Sequence, residues 1–521
     1  MKNFSQRIAA LSPGQLKLLK LRLKKEGIDF DTDIKTIEKN IFPAIEPSEE
    51  KEYYPLSSFQ KRMFTLNQLE GAGAVYITQL TRIIRENLDK KKVRDVFTAL
   101  IKRHESFRTS FEFINGEPVQ EIHDHVEFEI QYHDLAAEDR GQTTEGKSDT
   151  HLSSVIRHQS SEFIHPFDLS QAPLLRVGLF KLEEKKYILM IKMHHIITDA
   201  LSNKITWDEF NRLYYKQQLK ELKIQYKDFC EWQNSKSVKA ALKYQETYWL
   251  REFQGEIPLI NLPTDYQRPV NKSYEGGFHI FKIDKKETST LKALALKENT
   301  TLFVLMLSLY NIFLAKICRQ KDIIVGIPIA GRRHAGLDNT IGMFVNSLAL
   351  RNDVEDNNTW GDFLKRVRQR TLEAFANQDY QFEELVDQVV KQRDTSRNPI
   401  FDVFFSFRAP GVSQELPPGL TDDEDSKLEP GEKSPYQGAT LSFFDLYFLG
   451  KEIKEELFLV FVYSSELFKK ETIARFVGYV KEIVSAVVED NMIELGDIKI
   501  SHDLGIAATT MLQDEESDFG F

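Results

Sequence analysis

Apolar positions along the chain fall into two alternating textures. In KVRDVFTALIKRHESF the Val, Phe, Leu and Ile positions recur at the three- and four-residue spacing of one helix face, whereas FHIFKI, DIIVGIPI and ELFLVFVY are short runs of Ile, Val, Phe and Tyr that predict strands. The alternation runs from Tyr54 almost to the C-terminus and predicts a mixed α/β fold. Upstream, SPGQLKLLKLRLKKE (Ser12 to Glu26) carries a capping Ser, a Pro at the first helical position, Leu16, Leu18, Leu19, Leu21 and Leu23, and then Gly27, which predicts one short amphipathic helix. Residues 29–52, with Pro43 and Pro47, show neither period and are expected to be a linker. Two polar interruptions, Ala137 to Ser154 and Ala409 to Thr440 with its five prolines and the acidic run Asp422 to Asp425, are expected to be exposed loops. The ending DEESDFGF is expected to lie outside the core.

Length and charge narrow the class. A chain of 521 residues predicts about three domains, or two larger ones with extensions. With 69 Lys and Arg against 79 Asp and Glu the net charge is −10, which does not suit a nucleic-acid or phosphate-binding surface. Two cysteines, Cys230 and Cys318, cannot build a disulfide framework, and no Cys/His group has zinc-finger spacing. No stretch of 18 apolar residues occurs, and the N-terminus lacks the apolar core of a signal peptide. A cytoplasmic location without membrane attachment is the expectation.

Chemistry concentrates in KKYILMIKMHHIITDALS, Lys185 to Ser202. Tyr187 to Met193 has the composition of a partly buried strand that runs directly into His194 and His195, with Asp199 four residues later. Alternation along a strand would turn the two imidazoles to opposite sides, so they are expected to do different jobs. A neutral imidazole suits proton exchange with an amine, thiol or hydroxyl, and a nearby carboxylate can orient it or organise the loop. The HExxH, GxSxG and GxxxxGK[ST] patterns are absent.

HHIITDA resembles the HHxxxDG motif of the condensation domains of nonribosomal peptide synthetases, with Ala200 in place of the final Gly. Six further segments resemble that family's motifs in the family's order. They are YPLSSFQKRMFTL from Tyr54, RHESFRTSF from Arg103, YKDFCEW from Tyr226, IGMFVNSLALR from Ile341, NQDYQFEELV from Asn377 and RDTSRNPIFDV from Arg393. Taken singly, each has a plain structural explanation: a helix end with solvated Arg103 and Arg108, a buried strand, a turn leading into a strand. Seven in order are specific.

The resemblance implies two chloramphenicol-acetyltransferase-like subdomains in a V-shaped pseudo-dimer with a tunnel at their interface. The expected division is 1–53 for the helix and linker, 54–225 and 226–502 for the two subdomains, and 503–521 for the acidic tail. It also implies an acyltransferase that joins a donor acyl or peptidyl thioester to an acceptor aminoacyl thioester. Each thioester is carried on the phosphopantetheine arm of a partner carrier protein, so the chain needs no metal or cofactor of its own. Neighbouring synthetase modules are further expected partners, and the isolated domain is expected to be a monomer. By carry-over His195 is catalytic, as a base or by positioning the amine. His194 is structural, and Asp199 holds the loop by pairing with Arg332 or, second, Arg176. Ser202, Asn346 and Ser347 are expected to line the tunnel, and Ala200 is expected to be tolerated at a helix start. Motif likeness favours the class joining L-configured donors and acceptors, with a starter domain taking a fatty acyl donor, or a silent recruitment domain, as alternatives.

Overall fold

The computed structural model describes residues 42–68, 76–135, 165–334, 336–408 and 440–501. The predicted helix from Ser12, residues 137–154 and 409–439, and the acidic tail lie outside them. The described chain divides into two compact units. One takes the residues up to Tyr244 together with residues 330–345; the other takes Gln245–Ile329, residues 346–408 and residues 440–501.

In the first unit, β1 (Tyr54–Pro55), β3 (Thr109–Ile114) and β4 (Glu117–Ile122) form a small antiparallel sheet in the order β1-β4-β3. A second sheet has the order β2-β7-β6-β5, with β2 (Ile77–Ile84), β5 (Ile130–Asp134), β6 (Leu175–Glu183) and β7 (Lys186–His194). The apolar run YILMIKM makes β7 a central strand, antiparallel to both β2 and β6 and buried from Tyr187 to His194. Lys192, on this strand, is buried opposite Arg176 of β6, and burial and that neighbouring charge push its ammonium down to about 8.

Four helices belong to this unit, α1 (Ser58–Asn67), α2 (Lys90–Arg103), α3 (Ala200–Tyr214) and α4 (Tyr226–Asn234), of which α2 follows the predicted period. Helix α2 turns Val93, Val96, Phe97, Leu100 and Ile101 inward. Phe97 meets Phe210 of α3 at 5.2 Å between ring centres, and burying such a ring contributes roughly 1.5–3 kcal/mol. Arg103 and Arg108 are not simply solvated, as the plain structural explanation of their segment would have them. Arg103 pairs with Glu209 at 3.0 Å, which also meets buried His104 at 2.7 Å, and Arg108 donates to the His123 carbonyl at 2.6 Å. Residues 42–52 form no helix or strand, and they are pinned: Trp232 Nε1 donates to the Pro43 carbonyl at 2.8 Å, and Ser48 Oγ donates to Asp228 at 2.6 Å.

The second unit is a seven-stranded mixed sheet in the order β10-β9-β11-β13-β14-β8-β12. Its strands are β8 (Glu275–Ile283), β9 (Asp322–Ile329), β10 (Asn346–Asp353), β11 (Val403–Arg408), β12 (Thr440–Leu441), β13 (Leu446–Ile453) and β14 (Glu456–Ser464). FHIFKI, DIIVGIPI and ELFLVFVY are β8, β9 and β14. Helix α5 (Lys236–Glu252) joins the two units in sequence. The helices α6 (Lys285–Lys297), α7 (Leu302–Cys318), α8 (Trp360–Ala376), α9 (Phe382–Val389) and α10 (Lys470–Glu489) complete the second unit. Helix α7 is apolar on nearly all sides because it is the core helix: Tyr310 and Phe313 pack on Phe448 and Phe461 at 5.1 and 5.6 Å. No single helix among the described residues is long and apolar enough to cross a membrane.

Candidate functional site

The site is built where β7 stops. Its last residue, His194, accepts the Ile196 backbone N–H at Nδ1 (3.1 Å), which closes a 3₁₀ turn over His195–Ile197. His195 therefore leaves the strand altogether, so the turn and not strand alternation separates the two rings. His194 is fully buried beside the Phe167 ring, and burial, helped by its histidine neighbour, pushes its imidazole down to about 3. It is neutral and acts as a backbone clamp.

His195 is half-buried. Its backbone N–H donates to the Tyr76 carbonyl at 2.7 Å, and its ring Nδ1 lies 2.7 Å from the Thr198 carbonyl. A carbonyl oxygen only accepts, so Nδ1 carries the proton and the lone pair of the neutral ring sits on Nε2. Nε2 has no hydrogen-bond partner among the described residues. Burial lowers the imidazole below its ordinary value despite the opposing pull of the Thr198 carbonyl and Asp199. The arrangement presents a neutral proton acceptor.

Asp199 closes the loop. Its Oδ1 accepts the Ser202 backbone N–H at 2.7 Å as the N-cap of α3, and its Oδ2 accepts the Phe344 N–H at 3.1 Å. Arg332 Nη2 donates to both carboxylate oxygens at 3.1 and 3.2 Å and to Ser202 Oγ at 2.7 Å, while Nη1 donates to the Leu337 and Thr340 carbonyls at 2.8 and 2.5 Å. The guanidinium stacks over Phe344, 4.0 Å from the ring centre. Segment 330–345 can fold this tightly because of two glycines. Gly331 has φ +64°, and a Cβ there would fall 1.8 Å from the Phe344 carbonyl oxygen; a Cβ on Gly342 would fall 1.9 Å from the Tyr226 ring.

Of the two arginines expected for Asp199, Arg332 is the partner. Arg176 instead donates to the His165 and Pro166 carbonyls at 2.6 and 3.1 Å and stacks on Phe167. The polar groups of Ser202 and Asn346, both expected to line the tunnel, are engaged. Ser202 is buried, donates to the Gly342 carbonyl at 2.9 Å and accepts from Gly342 N–H and Arg332; Asn346 donates to the Gln378 and Tyr380 carbonyls and accepts from the Ser347 and Phe382 N–H groups. Both side chains are saturated within their own units and act as structural pins. Ser347 is half-buried on β10.

Ala200 begins α3 with an ordinary helical backbone, not the positive φ that would demand glycine. The residue is half-buried. Ala200→Gly is accordingly expected to leave turnover within about twofold and to lower stability by roughly 0.5–1 kcal/mol through backbone entropy, measured by single-turnover kinetics and denaturant melts. A large gain in rate would instead show that the methyl group obstructs a substrate.

Several residues that shape the site were not singled out by the sequence, although all lie inside its quoted motif segments. Ser106 Oγ donates to the Ile341 carbonyl at 2.6 Å and Gln60 Nε2 to the Ile196 carbonyl at 3.1 Å, while Tyr226 OH contacts Ser57 Oγ at 2.9 Å and also bonds the Met343 carbonyl. The order of the motifs signalled their importance; only the fold shows that Ser106 and Tyr226 hold carbonyls of residues 341–343 while Gln60 holds the Ile196 carbonyl. Among the described residues no group of three His, Cys, Asp or Glu is placed to hold a metal ion.

Comparison with known proteins gives consistent results. A family model described as Condensation domain matches residues 50–505. Tyrocidine synthase 3 of Brevibacillus parabrevis is 40% identical over 467 residues, covering 90% of this chain and 7% of that synthase. Gramicidin S synthase 2 of Brevibacillus brevis is 41% identical over 460 residues, 88% of this chain and 10% of the relative. The chain thus spans about a tenth or less of the length of these two relatives. Among solved structures, the X-domain from teicoplanin biosynthesis superposes with a TM-score of 0.74 at 21% identity, covering 88% of this chain and all of that one. The mixed α/β fold is therefore that of these domains.

Proposed function

The chain belongs to the condensation-domain family, and on that ground we propose that it joins a donor acyl or peptidyl thioester to an aminoacyl acceptor, each presented on the phosphopantetheine arm of a carrier protein. The acceptor nitrogen attacks the thioester carbonyl carbon. A C–N bond forms, the C–S bond breaks, the amine gives up a proton, and the sulfur leaves to be protonated as the thiol.

The observation that carries this reading is the fixed tautomer of His195. With Nδ1–H held by the Thr198 carbonyl, Nε2 is left as an acceptor for an incoming N–H. An imidazole of lowered basicity is poor at stripping a free ammonium. It is suited to take the proton once N–C bond formation has made that N–H acidic. His194 and the Asp199–Arg332 pair hold the turn, and with it the acceptor atom, in place. The loop geometry argues against a silent recruitment domain, because Ala200, the motif departure that favoured one, sits in an ordinary helical turn. Likeness of the motif segments favours L-configured donor and acceptor.

The experiment is a condensation assay with carrier-bound and free acceptors against L-, D- and fatty acyl donors. Amide formation is expected with the carrier-bound acceptor and the L-donor. Equal rates with free amines would replace this reading by that of an ordinary small-molecule acyltransferase. No product with any pair would leave a recruitment role.

A further inference from the structure

The turn that carries His195 is held from outside by a side chain that the proposed chemistry does not use. Gln60, at the third position of α1, is buried. Its Oε1 accepts the Ser57 backbone N–H at 3.1 Å and the Cys230 thiol at 3.4 Å, and its Nε2 donates to the Ile196 carbonyl at 3.1 Å. Only one orientation of the amide satisfies this set, because Ser57 N–H must face an oxygen and the Ile196 carbonyl must face the NH₂ group.

Ser57 and Tyr226 lock that orientation. Ser57 Oγ accepts the Gln60 backbone N–H at 3.2 Å. The Met343 carbonyl can only accept, so the Tyr226 hydroxyl proton goes to it and the Tyr226 oxygen accepts the Ser57 hydroxyl proton. The next residue, Phe344, donates its N–H to Asp199. One directional network thus grips the His195–Asp199 loop at its front, through Ile196, and at its back, beside Asp199. Ile196 lies between His195 and Thr198, the residue whose carbonyl fixes the ring. Were the Ile196 carbonyl released, the peptide planes of the turn could rotate and the Thr198 carbonyl would leave Nδ1.

We propose that Gln60 is a positioning residue, oriented by Ser57 and Tyr226, whose bond to the Ile196 carbonyl keeps His195 in the tautomer with its lone pair on Nε2. The link to rate rests on the reading of His195 as the proton acceptor; the link to tautomer does not.

The test uses the full chain. In ¹⁵N spectra of the histidine rings, with His195 assigned by difference against His195→Gln, the wild-type ring should be protonated at Nδ1. Gln60→Met, close in size but without polar atoms, should show a mixture of both neutral tautomers and a roughly 10- to 100-fold lower single-turnover rate of amide formation, the scale expected of a misplaced reactive group, with unchanged carrier-protein affinity. Gln60→Glu, which has the same shape, should approach the wild-type rate as pH is lowered, since a protonated carboxyl can again donate to the Ile196 carbonyl. If Gln60→Met fails to fold, Gln60→Glu carries the test alone. An unchanged His195 tautomer in a folded variant that cannot donate to Ile196 overturns the proposal. A redistributed tautomer with an unchanged rate upholds the positioning role and removes His195 from the chemistry.

Discussion

Replacing His195 by Ala is expected to lower single-turnover amide formation by about 10²- to 10⁴-fold, the usual worth of a positioned general base. Folding and carrier-protein affinity should stay near wild type, because the ring is half-buried at a turn and its one side-chain hydrogen bond is to the Thr198 carbonyl. The pH dependence follows from the direction of the shift. Burial lowers the His195 pKa, so the neutral acceptor persists below the ordinary histidine value of about 6.5, and the rate should fall only as pH drops through the lowered folded value. For stability the sign is the same. The unfolded chain takes up the proton first, so folding is favoured above about 6.5 and weakens below it. His194, whose folded value is about 3, contributes roughly 1.4 kcal/mol per pH unit across the window between. Full activity of His195→Ala with tethered donor and acceptor would falsify the assignment.

Asp199→Ala should fail differently, by unfolding. It removes the N-cap of α3 and strands the Arg332 guanidinium, whose side chain is 6% exposed, so about 3–5 kcal/mol should be lost. Thermal melts of the transition that carries the first unit should shift on the order of 10 °C. Arg332→Lys should restore little. An ammonium has three donors and no planar fork, whereas Arg332 serves the Asp199 carboxylate, Ser202 and two carbonyls at once. A double-mutant cycle between Asp199→Ala and Arg332→Leu should show strong coupling, because losing both partners leaves no unpaired charge. If Asp199→Ala abolishes turnover at unchanged stability, Asp199 belongs in the chemistry instead.

Local patterns in the chain were enough to fix the elements. The apolar run ahead of His194 is β7, the inward-facing Val, Phe, Leu and Ile of KVRDVFTALIKR give α2, and FHIFKI, DIIVGIPI and ELFLVFVY are strands, because periodicity and side-chain shape act within a few residues. The HHIITDA segment also marked His194, His195 and Asp199, and Arg332 was the first candidate to pair with Asp199. The sequence ranked Arg332 ahead of Arg176 but could not decide between them, because spacing along the chain does not say which guanidinium reaches Asp199. That choice was made by segment 330–345, which folds against Asp199 only because Gly331 and Gly342 remove two Cβ atoms that would collide with Phe344 and Tyr226. Ser202 and Asn346 looked like polar groups available to a ligand, and tertiary packing spent their hydrogen bonds on backbone groups far away in sequence. The tautomer of His195 likewise depends on the Thr198 carbonyl and, through Ile196, on Gln60, which lies 136 residues upstream of Ile196. Hydrogen-bond partners across such separations are set by how the elements pack, and neither composition nor spacing carries that information.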